Sequence, residues 1–230
     1  MTQIIPIPLR WSNAYLLKGE RPILIDTGSP HEAATIIKIL QAHDVQPQEL
    51  ALILHTHGHW DHCGNTAELQ QMTHAPVAIH QVDAPLLQSA QVGYLEPTRL
   101  SARLMKPFMN RPYQAVNPDI LLKDEGELTE YGVMARYIFT PGHTVGSISI
   151  ITETGEAIVG DLLMGGYFGA QWRKEVPRYH YFAYDLTVIH WSLRKLLTHN
   201  PHTLYVGHGG PLKAEAVRAR FGLTNGSPNL

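Results

Sequence analysis

The chain has 230 residues, 44% hydrophobic and 17% charged, with a formal net charge of −2 when histidine is neutral. Those values suit one compact domain with a sizeable core and exclude a basic nucleic-acid surface. No apolar run approaches the ~20 residues that span a bilayer. The single cysteine, Cys63, cannot form an internal disulfide, and 14 histidines against 18 Lys and Arg mark a metal-site candidate before any motif is considered.

Residues 1–15 are broken by Pro6, Pro8 and Arg10 and lack the pattern of an export leader, so a cytoplasmic location is expected. Ile4 to Leu9 predicts an edge strand, because it carries two prolines. Asn13 to Leu17 and Pro22 to Ile25 predict a strand pair turning at Lys18-Gly19-Glu20, closed by Asp26-Thr27-Gly28. Ala33, Ile36, Ile37 and Leu40 give a helical period from Ser29 or Pro30 to about His43. Leu50 to Leu54 predicts a buried strand, Gly64 to Met72 a helix and Val77 to Ile79 a short strand.

Residues 88–116 lack strand alternation; their interleaved basic and apolar residues predict helices or a lid. Val133 to Phe139, Ser147 to Ile151 and Glu156 to Val159 predict strands of a second sheet. Residues 165–182 predict a second insertion, rich in glycine and aromatics. Leu186 to Leu197 predicts a helix with an apolar face, and Thr203 to Val206 a last strand. The Gly-, Asn-, Ser- and Pro-bearing tail from Phe221 to Leu230 predicts disorder. Two strand-then-helix halves predict two packed sheets with helices outside.

The chemistry concentrates in Thr56-His57-Gly58-His59-Trp60-Asp61-His62, directly after the Leu50 to Leu54 strand. Imidazole and carboxylate are the usual ligands of Zn²⁺ and related ions. His57 and His59, two apart in an extended loop, point the same way. Asp61 and His62 follow where the chain turns, so one pair suits one ion and the other pair a second. Three further candidates lie in loops after predicted strands: His143 in Thr140-Pro-Gly-His-Thr144, Asp161 after Gly160, and His208 between two glycines. Five histidines and two aspartates with no thiolate suit two ions with open positions better than a closed structural zinc site.

This ordered set resembles the metallo-β-lactamase superfamily, whose His-x-His-x-Asp-His signature stands here as His57, His59, Asp61 and His62. The resemblance spans roughly Ile23 to Pro211 and implies an α+β fold, a four-layer αβ/βα sandwich with its metals at one edge; by its length the chain, residues 1–230, is expected to be a single domain. The resemblance also implies a division of labour. His57, His59 and His143 would hold one divalent ion, Asp61, His62 and His208 the other, and Asp161 would bridge them. Two zinc ions are expected, with iron or manganese as the alternatives. Asp26 is expected as a supporting carboxylate behind the ligands. A water between such ions loses a proton near neutral pH, so hydroxide is the expected nucleophile, with Asp61 and Asp161 as the catalytic carboxylates.

The resulting expectation is a dinuclear hydrolase acting on a small ester, thioester or lactone. The alternatives are an iron-dependent redox enzyme of the same fold and a non-catalytic metal-binding module. Tyr167, Phe168 and Trp172 are the expected walls of a pocket for a small molecule, and Arg173, Lys174 and Arg178 the expected binders of an anionic group on it. Met164 stands where lactonases of the family commonly carry tyrosine. Cys63 is expected as a small buried residue. His55 is expected to be structural, and His31, His43, His74, His80, His180, His190, His199 and His202 to be surface or core histidines. Neither a membrane nor a nucleic-acid partner is expected, and the oligomeric state is not legible in the sequence.

Overall fold

A computed structural model describes residues 1–223. The first half builds a six-stranded sheet from β1 (Gln3–Pro8), β2 (Asn13–Lys18), β3 (Ile23–Ile25), β4 (Leu52–Leu54) and β5 (Val77–His80). The short β6 (Glu96–Pro97) pairs elsewhere, and β7 (Ile120–Leu122) closes the sheet in the order β1-β2-β3-β4-β5-β7. β1, β2 and β3 run antiparallel, whereas β3, β4, β5 and β7 are parallel. The parallel crossovers carry α1 (Ala33–Ala42), α2 (Trp60–Cys63), α3 (Thr66–Thr73), α4 (Ala84–Ser89) and α5 (Leu100–Met105).

The second half builds another six-stranded sheet from β8 (Glu125–Glu127), β9 (Ala135–Phe139), β10 (Ile148–Thr152) and β11 (Glu156–Ile158). A hairpin, β12 (Met164–Tyr167) with β13 (Trp172–Arg178), intervenes, and β14 (Phe182–Ala183) pairs with β6. After α6 (Leu186–Thr198) come β15 (Thr203–Tyr205), β16 (Leu212–Lys213) and α7 (Ala214–Phe221), giving the order β16-β15-β11-β10-β9-β8.

Period-two patterning explains the layers, because successive side chains on a strand face opposite sides. On β2, Ala14 and Leu16 join the core beneath α1, with Ile36 and Leu40, while Tyr15 and Leu17 face the second sheet. On β3 and β4, Ile23, Ile25, Leu52 and Leu54 likewise meet Ile148, Ile150 and Ile158 in the core between the sheets. Ile138, Ile151 and Ala157 leave the far face of the second sheet to pack on Leu193 and Leu196 of α6. The result is helix, sheet, sheet, helix: the four-layer sandwich.

Several expected boundaries move. α1 starts at Ala33, not at Ser29 or Pro30, because residues 29–32 form a turn with His31 left-handed (φ 73°) and Glu32 Oε2 accepting the Ser29 N–H at 2.8 Å. The helix expected over Gly64 to Met72 is α3, which starts only at Thr66, and a separate short helix, α2, precedes it inside the His57–His62 loop. At Gly64 the chain passes against Ser29 and Pro30, its N–H bonds Gly28 O at 2.8 Å, and a Cβ there would collide with Pro30 backbone. The second insertion is a β-hairpin rather than an irregular loop. Thr203 to Val206 is followed by one more strand, β16, and by α7, whose buried face is only Ala214 and Val217, too little apolar repeat to announce a helix. Phe221 ends that helix; the rest of the expected disordered tail, residues 224–230, lies outside the described residues. Among the described residues no helix is long and apolar enough to cross a membrane.

Candidate metal centre

The site gathers beyond the carboxyl ends of β3 and β4, where parallel strands leave a crevice for ligands. Asp26 follows β3 in a left-handed conformation (φ 59°), fixed by its N–H to Leu54 O at 2.9 Å. Its Oδ1 accepts the Thr56 N–H, and its Oδ2 accepts Thr56 Oγ1–H and pairs with His62 Nδ1, each at 2.8 Å. Because the Thr56 hydroxyl proton goes to Asp26, His57 Nδ1–H must donate to Thr56 Oγ1 at 3.1 Å. The same reasoning sets the other rings, since a carbonyl can only accept. His59 Nε2–H bonds Val92 O at 3.1 Å, His143 Nδ1–H bonds Phe182 O at 3.0 Å and His208 Nδ1–H bonds Trp11 O at 2.6 Å. In the neutral ring, the form that binds a metal, the other nitrogen of each then carries a lone pair turned inward.

Those inward atoms converge. Ligand atoms of His57, His59 and His143 lie within 4.8 Å of one another, as do those of Asp61, His62 and His208, and those of His57, His62 and Asp161. Asp161 sits between the groups. Its Oδ2 is 3.4 Å from His143 Nε2, 4.0 Å from His57 Nε2 and 3.2 Å from His208 Nε2, and its Oδ1 is 3.5 Å from His62 Nε2. Gly207 makes this approach possible, since any Cβ there would strike Asp161 Oδ1 and the His62 ring. Thus all seven residues singled out as ligands by their loops come together, and Asp26 stands behind His62 and Thr56.

The donor set fits divalent cations. His59 Nδ1 and His143 Nε2, both lone-pair atoms by the preceding argument, face each other at 3.0 Å. Buried His57 Nε2, His62 Nε2, His208 Nε2 and Asp161 Oδ1 have no hydrogen-bond partner among the described residues. Buried polar atoms are normally satisfied, and two acceptors at hydrogen-bond distance repel unless a cation lies between them.

Charge follows the same geometry. Burial is the main cause that holds His57 and His143 well below the ordinary imidazole pKa and lowers His59, favouring the neutral form that metals bind. Burial acts the same way on His62 and His208, but Asp161, helped by Asp26 and Asp61 respectively, outweighs it and raises both. Burial would raise Asp161, yet the facing imidazoles of His208, His180, His62 and His143 hold it well below the usual carboxylate range. His55 turns toward Thr66 Oγ1 at 3.0 Å. Cys63 is buried with Sγ on His57 O at 3.3 Å, and burial pushes its thiol well up, keeping it protonated.

One residue departs from its expected place. His180, grouped by sequence with the surface and core histidines, lies in the cluster with Nε2 3.4 Å from Asp161 Oδ2. It stands alone in the aromatic run Tyr179-His-Tyr-Phe182, so no ligand spacing marks it. Of the expected pocket wall only Phe168 lines the cavity over the cluster. Tyr167 and Trp172 face each other across the hairpin (centroids 5.4 Å), the Arg178 guanidinium lies over Tyr167 at 4.1 Å, and exposed Arg173 pairs with Glu175 at 3.8 Å. Arg178 lines a separate cavity with Arg99 and Arg220. None of the four lines the cavity of about 300 Å³ over the cluster, which is walled by Trp11, Trp60, Met109, Met164, Phe168 and Phe182 and floored by Asp61, His180 and His208.

Comparison with known proteins agrees with the geometry. The chain is 30% identical over 212 residues to the probable metallo-hydrolase YqgX of Bacillus subtilis, covering 90% of this chain and 89% of that one. It is 28% identical over 214 residues to the probable metallo-hydrolase YflN of the same organism, covering 86% and 78%. Among solved structures, TTHA1623 in a di-iron-bound form superposes with a TM-score of 0.67 at 26% identity, covering 94% of this chain and 98% of that one. The family model for the metallo-beta-lactamase superfamily matches residues 8–208, and the chain belongs to that superfamily.

Proposed function

We propose that the protein is a dinuclear metallohydrolase that cleaves a small ester, thioester or lactone with an apolar acyl part. The observation that carries this reading is the pair of inward lone pairs of His59 and His143, 3.0 Å apart beside Asp161. His57, His59 and His143 would hold one ion, Asp61, His62 and His208 the second, and Asp161 would reach both. Bound there, two divalent ions polarise an acyl oxygen and activate water for attack near neutral pH.

The rest falls to the chain's own side chains. Trp60, Met109, Met164 and Phe182 give the cavity an apolar wall that desolvates the acyl group and holds its carbonyl over the cluster. Asp61 forms part of the floor, with Oδ2 3.5 Å from His208 Nε2. It is placed to orient the attacking water and take up its proton. Asp61 then returns that proton to the leaving oxygen or sulfur, and the product leaves past the exposed rings of Trp11 and Phe168.

Zinc is the proposed metal. Similarity to a di-iron-bound structure supports a second reading, an iron-dependent redox site, because N/O ligands alone do not choose between these metals. Metal analysis alongside ester hydrolysis and oxygen uptake separates the two. Two zinc per chain with ester turnover and no oxygen uptake is the expected result; bound iron with oxygen uptake and no hydrolysis overturns it. In a series of unbranched acyl esters, each added methylene should raise kcat/KM about fourfold until the cavity is full, at ~0.8 kcal/mol per buried CH₂. A flat series would remove the apolar-acyl assignment.

A further inference from the structure

We propose that His180 is a sixth imidazole ligand of the metal centre, on the side of His143 and Asp161 Oδ2, so that the donor set exceeds the seven residues of the superfamily pattern. This rests on the metal reading above. His180 is buried, and its ligand atom lies within 4.8 Å of those of His143 and Asp161. Its ring meets His143 edge-on at 4.7 Å and stacks on His208 at 5.1 Å with 30° between planes. His180 Nδ1 lies 3.1 Å from Phe182 O, the same carbonyl that takes the His143 Nδ1–H. One carbonyl oxygen has two lone pairs and can orient both rings. Each imidazole then presents Nε2 inward, as His57, His62 and His208 do, whereas His59 presents Nδ1.

A second tautomer competes. Phe182 N–H also reaches His180 Nδ1, at 3.2 Å, which would leave a proton on Nε2 facing Asp161. A ring N–H donating to a carboxylate closes to about 2.7–2.9 Å. The observed 3.4 Å from Nε2 to Asp161 Oδ2 is too long for that bond and leaves room for a shared cation.

The fold also holds this segment deliberately in place. Thr98 Oγ1 donates to His180 O at 2.7 Å, Thr98 N to Tyr181 O at 2.9 Å and Arg99 Nη2 to Tyr179 O at 2.6 Å. β6 pairs with β14 one residue further on. The first insertion, which also supplies Val92 O to His59, therefore fixes the backbone that carries His180. Pinning on both sides is what a ligand from an otherwise irregular stretch requires.

The test uses the full chain, stripped of metal and reloaded with Co²⁺ as a visible probe. In wild-type protein labelled with ¹⁵N-histidine, the inference predicts six paramagnetically shifted imidazole N–H signals, for His57, His59, His62, His143, His180 and His208. Five signals would overturn it, and this measurement needs no variant to fold. His180→Asn should keep the circular dichroism of the wild type, alter the Co²⁺ visible spectrum and bind one of the two Co²⁺ at least ~10-fold more weakly. Unchanged Co²⁺ affinity and spectrum in His180→Asn, even with activity lost, would make His180 a substrate-side donor and end the proposal. Failure of wild-type protein to take up two Co²⁺ would instead sink the dinuclear reading itself.

Discussion

The two sheets supply the metal centre in different ways. The first contributes Asp26 and the unbroken run His57 to His62, all from the ends of the adjacent parallel strands β3 and β4. The second contributes His143, Asp161 and His208 one at a time, from three separate connections, while His180 comes from the segment between β13 and β14, outside both large sheets. The first half is thus locally encoded: a single loop, tied by Asp26 to Thr56 and His62, presents its ligands together. The second half brings its candidate ligands together only once β9, β10, β11 and β15 have paired, so its part of the site depends on long-range closure. Local encoding makes a motif; topological assembly makes a site that only the folded chain reveals.

The sharpest way to break this comparison is to remove the residue where the halves meet. Asp161→Ala takes away the carboxylate within 4.0 Å of His57, His62, His143, His180 and His208. It should lower kcat/KM by more than about 100-fold, the upper range for loss of a mere supporting partner, and should reduce the metal bound per chain. Equal turnover by variant and wild type would show that the halves act independently. Asp26→Asn tests the local half alone. It keeps the size but weakens the acceptor for His62 Nδ1–H, so metal affinity should fall 10–100-fold while the fold is retained. Metal titration by calorimetry reads this directly.

Asp83 joins the halves without touching the cluster. This buried carboxylate accepts Gly58 N–H at 3.0 Å from the first-sheet loop and Thr144 Oγ1–H and Gly146 N–H at 2.7 and 2.8 Å from the loop carrying His143. Hydrogen bonds to charged groups contribute ~1.5–3 kcal/mol each. Asp83→Ala should therefore lower unfolding stability by about 3 kcal/mol or more in urea titration, with a smaller effect on activity of the protein that remains folded. A loss under 1 kcal/mol would deny that the loops are coupled through it.

The contrast between the halves also explains what could be read beforehand. The His57–His62 run was legible because its spacing is itself chemical information, and β2 to β4 were legible as short apolar runs bounded by turn residues, because strands covered on both faces are apolar throughout. His143, Asp161 and His208 were found through resemblance to a pattern and through the glycines beside them. His180 carried no such cue: its ligand-like character comes from Phe182 O and from Thr98, more than 80 residues away in chain terms for the latter. β8 (Glu-Gly-Glu) and β16 (Leu-Lys) were missed because neither carries an apolar run that marks a strand. The aromatic and basic hairpin looked like a pocket because composition says which groups are present and not which way a strand faces.

That hairpin gives the smallest expected effect. On β13 residues 172–175 are exposed, Arg173 is paired with Glu175 at the surface, and the Arg178 guanidinium is occupied by the Tyr167 ring. An exposed ion pair contributes ~0–1 kcal/mol and is screened by salt. Arg173→Ala and Arg178→Ala should therefore change KM for a neutral acyl ester by no more than about fivefold, since ~1 kcal/mol is a factor of about five when 1.4 kcal/mol is tenfold. A larger effect confined to anionic substrates, reversed by lysine at the same position, would move substrate recognition from the apolar wall of Trp60, Met109 and Phe182 to the hairpin. Steady-state kinetics on a matched pair of neutral and carboxylate-bearing esters decides between the two surfaces, and the argument for the apolar wall predicts that both esters respond alike.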